Sequence, residues 1–249
     1  MSPGRWRRPT LFLAAGLLLS SLGAPAHAAY QATVAVNDTA FDPECLGFED
    51  AYPEKMTAAA KAALTRLGHG TQVMTGDAFT RATFLTSVIN DWSVYVHSHG
   101  DYYWHAGDAR RYSGFREDSG DCTQSIVYSK DIAAKRKGIQ SNLVFISTCH
   151  NGDANTTMPG AFAIEKSKAL PGRWNGPEFY VSYLGDAWDS DQWRFEQAFW
   201  DAIGPGFGAG QAFDIAAAQP FAHGLEADWW GSYVWNGRAG PLPVCPNCL

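Results

Sequence analysis

Three short runs, "WSVYVH" (92–97), "LVFIS" (143–147) and "EFYVSYL" (178–184), are apolar at nearly every position. A strand with one face in water alternates apolar and polar side chains, whereas a strand apolar throughout is covered on both faces, as parallel strands between helices are. A fourth run, "QATVAV" (31–36), is β-rich and alternating, and "TQVMT" (71–75) reads as a further strand. Helical patterns fill the gaps. After Pro53, the residues Met56, Ala59, Ala60, Ala63, Leu64 and Leu67 recur at i, i+3, i+4, i+7 spacing, and Gly68 provides a stop. Asp77 is expected to cap a helix from Ala78 to about Ile89, a second helix is expected over Lys130–Lys137, and a third, capped at Ser190, runs through Phe195, Ala198, Phe199 and Ala202. The stretch 102–127, rich in Gly, Asp and aromatics, interrupts the alternation as an inserted loop or hairpin. Strands and helices in alternation predict an α/β fold of three layers, a mostly parallel central sheet with helices on both faces.

Residues 1–28 read as a signal peptide. Arg5, Arg7 and Arg8 precede an uncharged run from Leu11 to about Gly23, and "AHA" at 26–28 supplies the small residues of a cleavage site. The apolar run falls short of the roughly 20 residues that span a bilayer. Without this leader the 19 basic residues become 16 against 25 acidic ones, a net charge of about −9. Such a balance disfavours nucleic acid and anionic membrane as partners and fits a secreted, extracellular protein. The remaining 29–249 are enough for a single domain with a well-buried core, and no repeat or Pro/Ser-rich linker divides them.

An oxidising compartment favours disulfides. Of the five cysteines, Cys45, Cys122, Cys245 and Cys248 are candidates for two bridges of open connectivity, which leaves Cys149 as the odd thiol. The "CPNC" at 245–248 lacks a second Cys/His pair at zinc-ligand spacing.

Ligands of open α/β sheets sit beyond the carboxyl ends of the strands. Past one expected strand stand His97, His99, Gly100 and Asp101, in "VYVHSHGDYYWH" (94–105). Past another stand Cys149, His150 and Asp153, in "NLVFISTCHNGD" (142–153). A thiol and an imidazole at one sheet edge can perform acyl transfer, since the imidazole activates the thiol and backbone N–H groups at a glycine turn receive the oxyanion.

With these motifs in place, the chain resembles the caspase-like (clan CD) cysteine peptidases, in which His-Gly ends one parallel strand and Cys ends the next. Within that clan it is most similar to the CHAT branch and its gingipain-like relatives. "FYVSYLGDAWDSDQWRFEQAFWDAI" resembles the CHAT strand, turn and long helix, "GFGAGQAFDIAAAQ" the following turn and Ala-rich helix, and "WWGSYVWNG" (229–237) the closing aromatic strand. The resemblance implies a caspase-like three-layer sandwich and an endopeptidase without a cofactor, acting on a peptide or protein substrate. In it Cys149 is the nucleophile, His99 the general acid/base, and the N–H groups of Gly100 and Cys149 the oxyanion hole. Thr148 and His150 depart from the small and acidic or serine residues that flank the nucleophile in many relatives.

Two other readings remain open on the residues alone. His97, His99 and Asp101 form H-x-H-x-D, similar to the start of the metallo-β-lactamase-like signature and so to a zinc-dependent hydrolase, although Tyr102 stands where a further histidine is expected. A catalytically inactive caspase-like binding protein is the other. Asp153 and Asp186, just beyond strand ends, are candidates for a substrate pocket that prefers a basic residue. Trp188, Trp193, Trp200, Trp229, Trp230 and Trp235 suit either a binding groove or core packing.

Overall fold

The computed structural model describes residues 30–38, 51–118, 125–164, 178–204, 208–220 and 227–231. These form strands β1 (Gln31–Val36), β2 (Gly70–Met74), β3 (Ser93–His97), β4 (Gly100–Trp104), β5 (Arg111–Arg116), β6 (Ile126–Tyr128), β7 (Leu143–Ser147), β8 (Phe179–Tyr183) and β9 (Ala227–Gly231). The helices are α1 (Tyr52–Arg66), α2 (Arg81–Ser87), α3 (Ser129–Arg136), α4 (Met158–Ala161), α5 (Asp189–Ala202) and α6 (Ala209–Ala217).

The main sheet has the order β2-β1-β3-β7-β8-β9. Its first five strands are parallel and β9 is antiparallel to β8. From β1 the chain runs outward to β2 and then returns past β1 to β3, so the strand order reverses there. Crevices for ligands open at such reversals, above the carboxyl ends of the strands.

The apolar runs are buried on both sides because successive side chains alternate between two cores. On one face Val34, Val36, Tyr95, Phe145 and Val181 meet α1, α5 and α6 through Met56, Leu64, Phe195, Phe199, Trp200 and Phe213. On the other, Ala35, Val94, Val96, Val144, Ile146 and Tyr180 meet Phe84 and Leu85 of α2, Ile132 of α3 and Met158 of α4. The fold is therefore α/β in three layers, with a mostly parallel central sheet and helices on both faces, as the apolar runs predicted.

Two helix starts differ from expectation. Asp77 sits in a single 3-10 turn, Gly76–Ala78, and α2 begins only at Arg81, where Thr80 and Thr83 form a reciprocal capping box. Between them Phe79 turns fully into the core and Asp118 receives the Gly76 N–H at 2.5 Å, which holds the turn apart from the helix. Helix α5 opens one residue before Ser190, with Trp188 at the cap position and no side-chain cap. Its orientation comes from tertiary contact, since Asp189 in the first turn faces His97.

The stretch after β3 makes a second, antiparallel sheet of order β4-β5-β6. Phe115 and Val127 anchor it in the core beside α2. The leader 1–28, Cys45, Cys122, Cys245, Cys248 and Trp235 lie outside the described residues. No described helix is long and apolar enough to cross a membrane.

Candidate active site

Strands β3 and β7 are adjacent and parallel, with His97 in register with Ser147. The pairing continues one step further, where the Ser98 N–H donates to the Ser147 carbonyl at 3.2 Å. His99 and Cys149 each stand two residues beyond this registered pair, on one edge of the sheet. Both are half-buried.

Cys149 opens a tight turn laid across the end of β8. His150 has a left-handed φ of 60°. The His150 N–H donates to the Gly185 carbonyl at 2.9 Å and the Gly152 N–H to the Tyr183 carbonyl at 2.7 Å. A Cβ on Gly152 would lie 2.8 Å from that same carbonyl oxygen, so the crossing requires glycine. The thiol faces the loop before α5, where Sγ accepts from the Ala187 N–H at 3.4 Å and meets the Ala187 carbonyl at 3.6 Å. Burial pushes the thiol pKa up, the Ala187 N–H partly offsets this, and the charges of Asp186 and Asp189 push it further up. Cys149 is a free cysteine.

His99 leads directly into β4. Its carbonyl accepts from the Arg116 N–H at 3.0 Å, which makes His99 and Arg116 a hydrogen-bonded cross-strand pair. Hydrogen-bonded and non-hydrogen-bonded pairs alternate along an antiparallel ladder. The next pair, Gly100 with Phe115, is therefore of the second kind, and the Gly100 N–H points away from β5 at the edge of the small sheet. That is the donor expected for an oxyanion.

His97 takes a different direction. It is 1% exposed, with Nδ1 3.1 Å from Ser147 Oγ and Nε2 3.5 Å from Asp189 Oδ2. Ser147 donates its one hydrogen to Glu196, so His97 Nδ1 carries the hydrogen of the shared bond. Glu196 also receives Tyr95 Oη–H at 2.5 Å and Tyr183 Oη–H at 3.0 Å. Burial opposes a charge on His97, but Asp189, Glu196 and Asp38 outweigh it and hold the imidazole above its ordinary pKa. This cluster forms a closed polar floor beneath the sheet edge. His97 is thus sealed in the interior, whereas His99 is only half-buried.

Asp153 and Asp186 gather around His150. His150 Nδ1 lies 3.0 Å from Asp153 and Nε2 3.2 Å from Asp186, whose side chain is 83% exposed. Partial burial lowers the His150 pKa, yet the Asp153 bond and the charges of Asp153, Asp101 and Asp186 raise it overall. Asp153 also accepts the Gly185 N–H at 2.8 Å, so it serves the turn as well as the rim. His97, His99 and Asp101 are not gathered: among the described residues no three His, Cys, Asp or Glu side chains are arranged to hold a metal ion. Of the tryptophans, Trp200 is buried in the core, Trp193 stacks on Tyr52 with ring centroids 5.9 Å apart, and Trp188 is exposed at the start of α5.

Sequence reasoning did not single out Asn151, Ala187, Asp189 or Glu196. Glu196 carried a readable signal, because it sits on the apolar stripe of α5 between Phe195 and Phe199, where a charge demands buried partners. Ala187 acts through its backbone and leaves no trace in composition.

No protein-family model matches this chain. No curated protein matches it either. Among solved structures, protein GSU0716 from Geobacter sulfurreducens is similar at 12% identity and a TM-score of 0.45, over 82% of this chain and 94% of that one. The fold assignment rests on the chain's own strand order.

Proposed function

We propose that the protein is a secreted cysteine endopeptidase of the caspase-like clan, nearest the CHAT and gingipain-like branch, acting through Cys149 and His99. The observation that carries this reading is the register: a thiol and a half-buried imidazole stand two residues past paired positions on adjacent parallel strands. The outward Gly100 N–H supports it as an oxyanion donor.

Because Cys149 is held above the ordinary thiol range, it rests as the thiol and depends on a base at the moment of attack. His99 takes the thiol proton as Sγ adds to the scissile carbonyl carbon. The negative oxygen is received by the N–H groups of Gly100 and Cys149. Collapse breaks the C–N bond, and His99 delivers its proton to the departing amine. Water then attacks the thioester, His99 accepts a proton from it, and the acid leaves as the thiol is restored. Asp153 and Asp186 around His150 favour a basic residue on the acyl side of the bond.

The test is labelling of the purified, unreduced mature protein with a peptidyl acyloxymethyl ketone bearing arginine or lysine, followed by mass mapping. Modification is expected at Cys149 alone, absent in Cys149→Ala and lost in His99→Ala. Peptide hydrolysis should vanish in Cys149→Ala with the melting temperature retained; turnover persisting in that variant overturns the mechanism. A second reading, an inactive binding protein on the same scaffold, is favoured by the raised thiol pKa and the hold of Ala187 on Sγ. It predicts no labelling in the wild type.

A further inference from the structure

The reaction steps above leave His97 without a role, although its partners tie together the elements that frame the site. Its register with Ser147 places it across the two strands that lead to His99 and Cys149. Asp189 and Glu196 of α5 are two helical turns apart and so share one face of that helix. Both carboxylates join the His97 cluster. Asp189 Oδ2 lies 3.5 Å from Nε2, and Glu196 is reached through the Ser147 hydroxyl on Nδ1. The charged groups that act on the imidazole are Asp189, Glu196 and Asp38, which hold it as a cation against its burial; the hydroxyls of Tyr95 and Tyr183 lie on Glu196. The His97 and Asp189 side chains are only 1% and 12% exposed, so water screens the pair far less than it screens a surface pair.

Asp189 stands two residues after Ala187, whose N–H and carbonyl both meet the Cys149 sulfur, at 3.4 and 3.6 Å. Trp188 between them is 74% exposed, so its ring is no anchor. Its carbonyl instead accepts the N–H groups of Asp191 and Gln192 at 2.9 and 3.0 Å, which binds it to the first turn of α5. On the other side of Ala187, Gly185 is held by the Cys149 turn through the His150 N–H and the Asp153 carboxylate. Ala187 is therefore carried between two fixed points, the Cys149 turn and the start of α5.

We infer that His97 is a positioning residue for the proposed nucleophile: through Asp189 it fixes the first turn of α5 and so holds the Ala187 N–H on the Cys149 sulfur. That N–H favours the thiolate, and the His97 cation offsets the Asp189 charge that opposes it. The inference rests on the peptidase reading for what the thiolate does, while the contact itself is measurable on the thiol.

The experiment follows alkylation of Cys149 by iodoacetamide across pH in the mature, unreduced protein, with mass mapping. His97→Leu removes both ring donors, and His97→Gln keeps one within reach of Asp189. In His97→Leu the rate profile should move to higher pH, with labelling about five-fold slower at neutral pH and the same plateau in alkali. His97→Gln should recover most of that loss. Phe199→Leu, in the core further along α5, controls for lost stability and should leave the profile in place. Asp189→Ala and Asp189→Asn both lack the charge and differ in the hold on His97, so the profile of Asp189→Ala should lie at higher pH than that of Asp189→Asn. This pair decides the question if His97→Leu does not fold.

A profile unmoved in His97→Leu, one that Phe199→Leu moves equally, or coincident profiles in the two Asp189 variants overturns the inference. Peptide hydrolysis is measured in parallel, and His97→Leu should lower kcat with KM retained. Displaced profiles in a protein that cleaves no peptide support the inferred contact and overturn the peptidase reading. Unmoved profiles in a protein that cleaves peptides overturn the inference and leave that reading standing.

Discussion

Gly100 and Asn151 approach so closely that a Cβ on Gly100 would lie 2.5 Å from Asn151 Nδ2, and equally close to Thr148 Oγ1. The same amide donates to the Gly114 carbonyl at 3.0 Å and to Thr148 Oγ1 at 2.6 Å. Asn151 therefore ties the Cys149 turn to β5 by a hydrogen bond and packs against Gly100 at the start of β4. The histidine half and the cysteine half of the site meet through one side chain.

Gly100→Ala should disrupt this junction first. The new methyl meets the Thr148 Cβ at 2.6 Å as well as the amide, and branched atoms of a buried residue cannot move aside freely. Overpacking of this kind costs about 1–3 kcal/mol. Thermal unfolding should register that loss, and Cys149 labelling should slow by at least ten-fold. A variant that labels at the wild-type rate would separate the junction from the chemistry.

Cys149 should behave as a thiol of raised pKa. Its alkylation rate is expected to keep climbing with pH beyond the point where an ordinary thiol has levelled, because the thiolate forms later. Asp186→Asn removes one of the charges that raise the pKa and should shift the profile towards lower pH; the shift is modest because the carboxylate is largely in water. A profile that levels below that of a free cysteine peptide contradicts the burial account.

Glu196→Ala should be the costliest single change in α5. It strips three hydroxyls, on Tyr95, Tyr183 and Ser147, of their buried acceptor, and it removes a carboxylate that supports the charge on His97. Breaking a buried charged network in this way costs roughly 3 kcal/mol or more. Urea titration should show it, with Glu196→Gln much milder since an amide oxygen still accepts. Equal loss in both variants would mean that the charge, rather than the hydrogen bonding, is what matters.

His69 should give the stability curve an acid limb. Burial lowers its pKa from 6.5 to about 4, and neither ring nitrogen has a hydrogen-bond partner among the described residues. The unfolded chain thus binds a proton that the folded chain refuses. The associated stability is fully present above pH 6.5, falls as pH drops, and is lost on passing through about pH 4. A displacement of that size corresponds to about 3 kcal/mol. In His69→Phe the slope between those pH values should flatten in denaturant titrations; an unchanged slope would assign it to other groups.

The layered α/β fold was legible because "LVFIS" and "EFYVSYL" are apolar on both faces, and only a strand covered on both sides tolerates that. Cys149 and His99 were legible as residues just past strand ends. The helix starts at Thr80 and Trp188 were less so, because Asp77 and Ser190 are the better caps by residue type. There the choice fell to the burial of Phe79 and to the contact between Asp189 and His97.

Local sequence by itself determined the core strands of the main sheet, that this sheet is sandwiched between helices, and that a thiol and histidines lie beyond strand ends, since periodicity and burial preference act over a few residues; the stretch 102–127 read only as an inserted loop or hairpin, and its part in the three-stranded sheet β4-β5-β6 was decided by tertiary pairing. Only the tertiary structure decided which histidine is sealed in the interior. His97 and His99 are two residues apart in one short motif, yet one is sealed beneath the sheet edge by Ser147, Asp189 and Glu196 while the other leads into β4 beside Arg116. The partners that make the difference come from β5, β7 and α5, and the chain brings them together only by closing long loops, which no window of sequence contains.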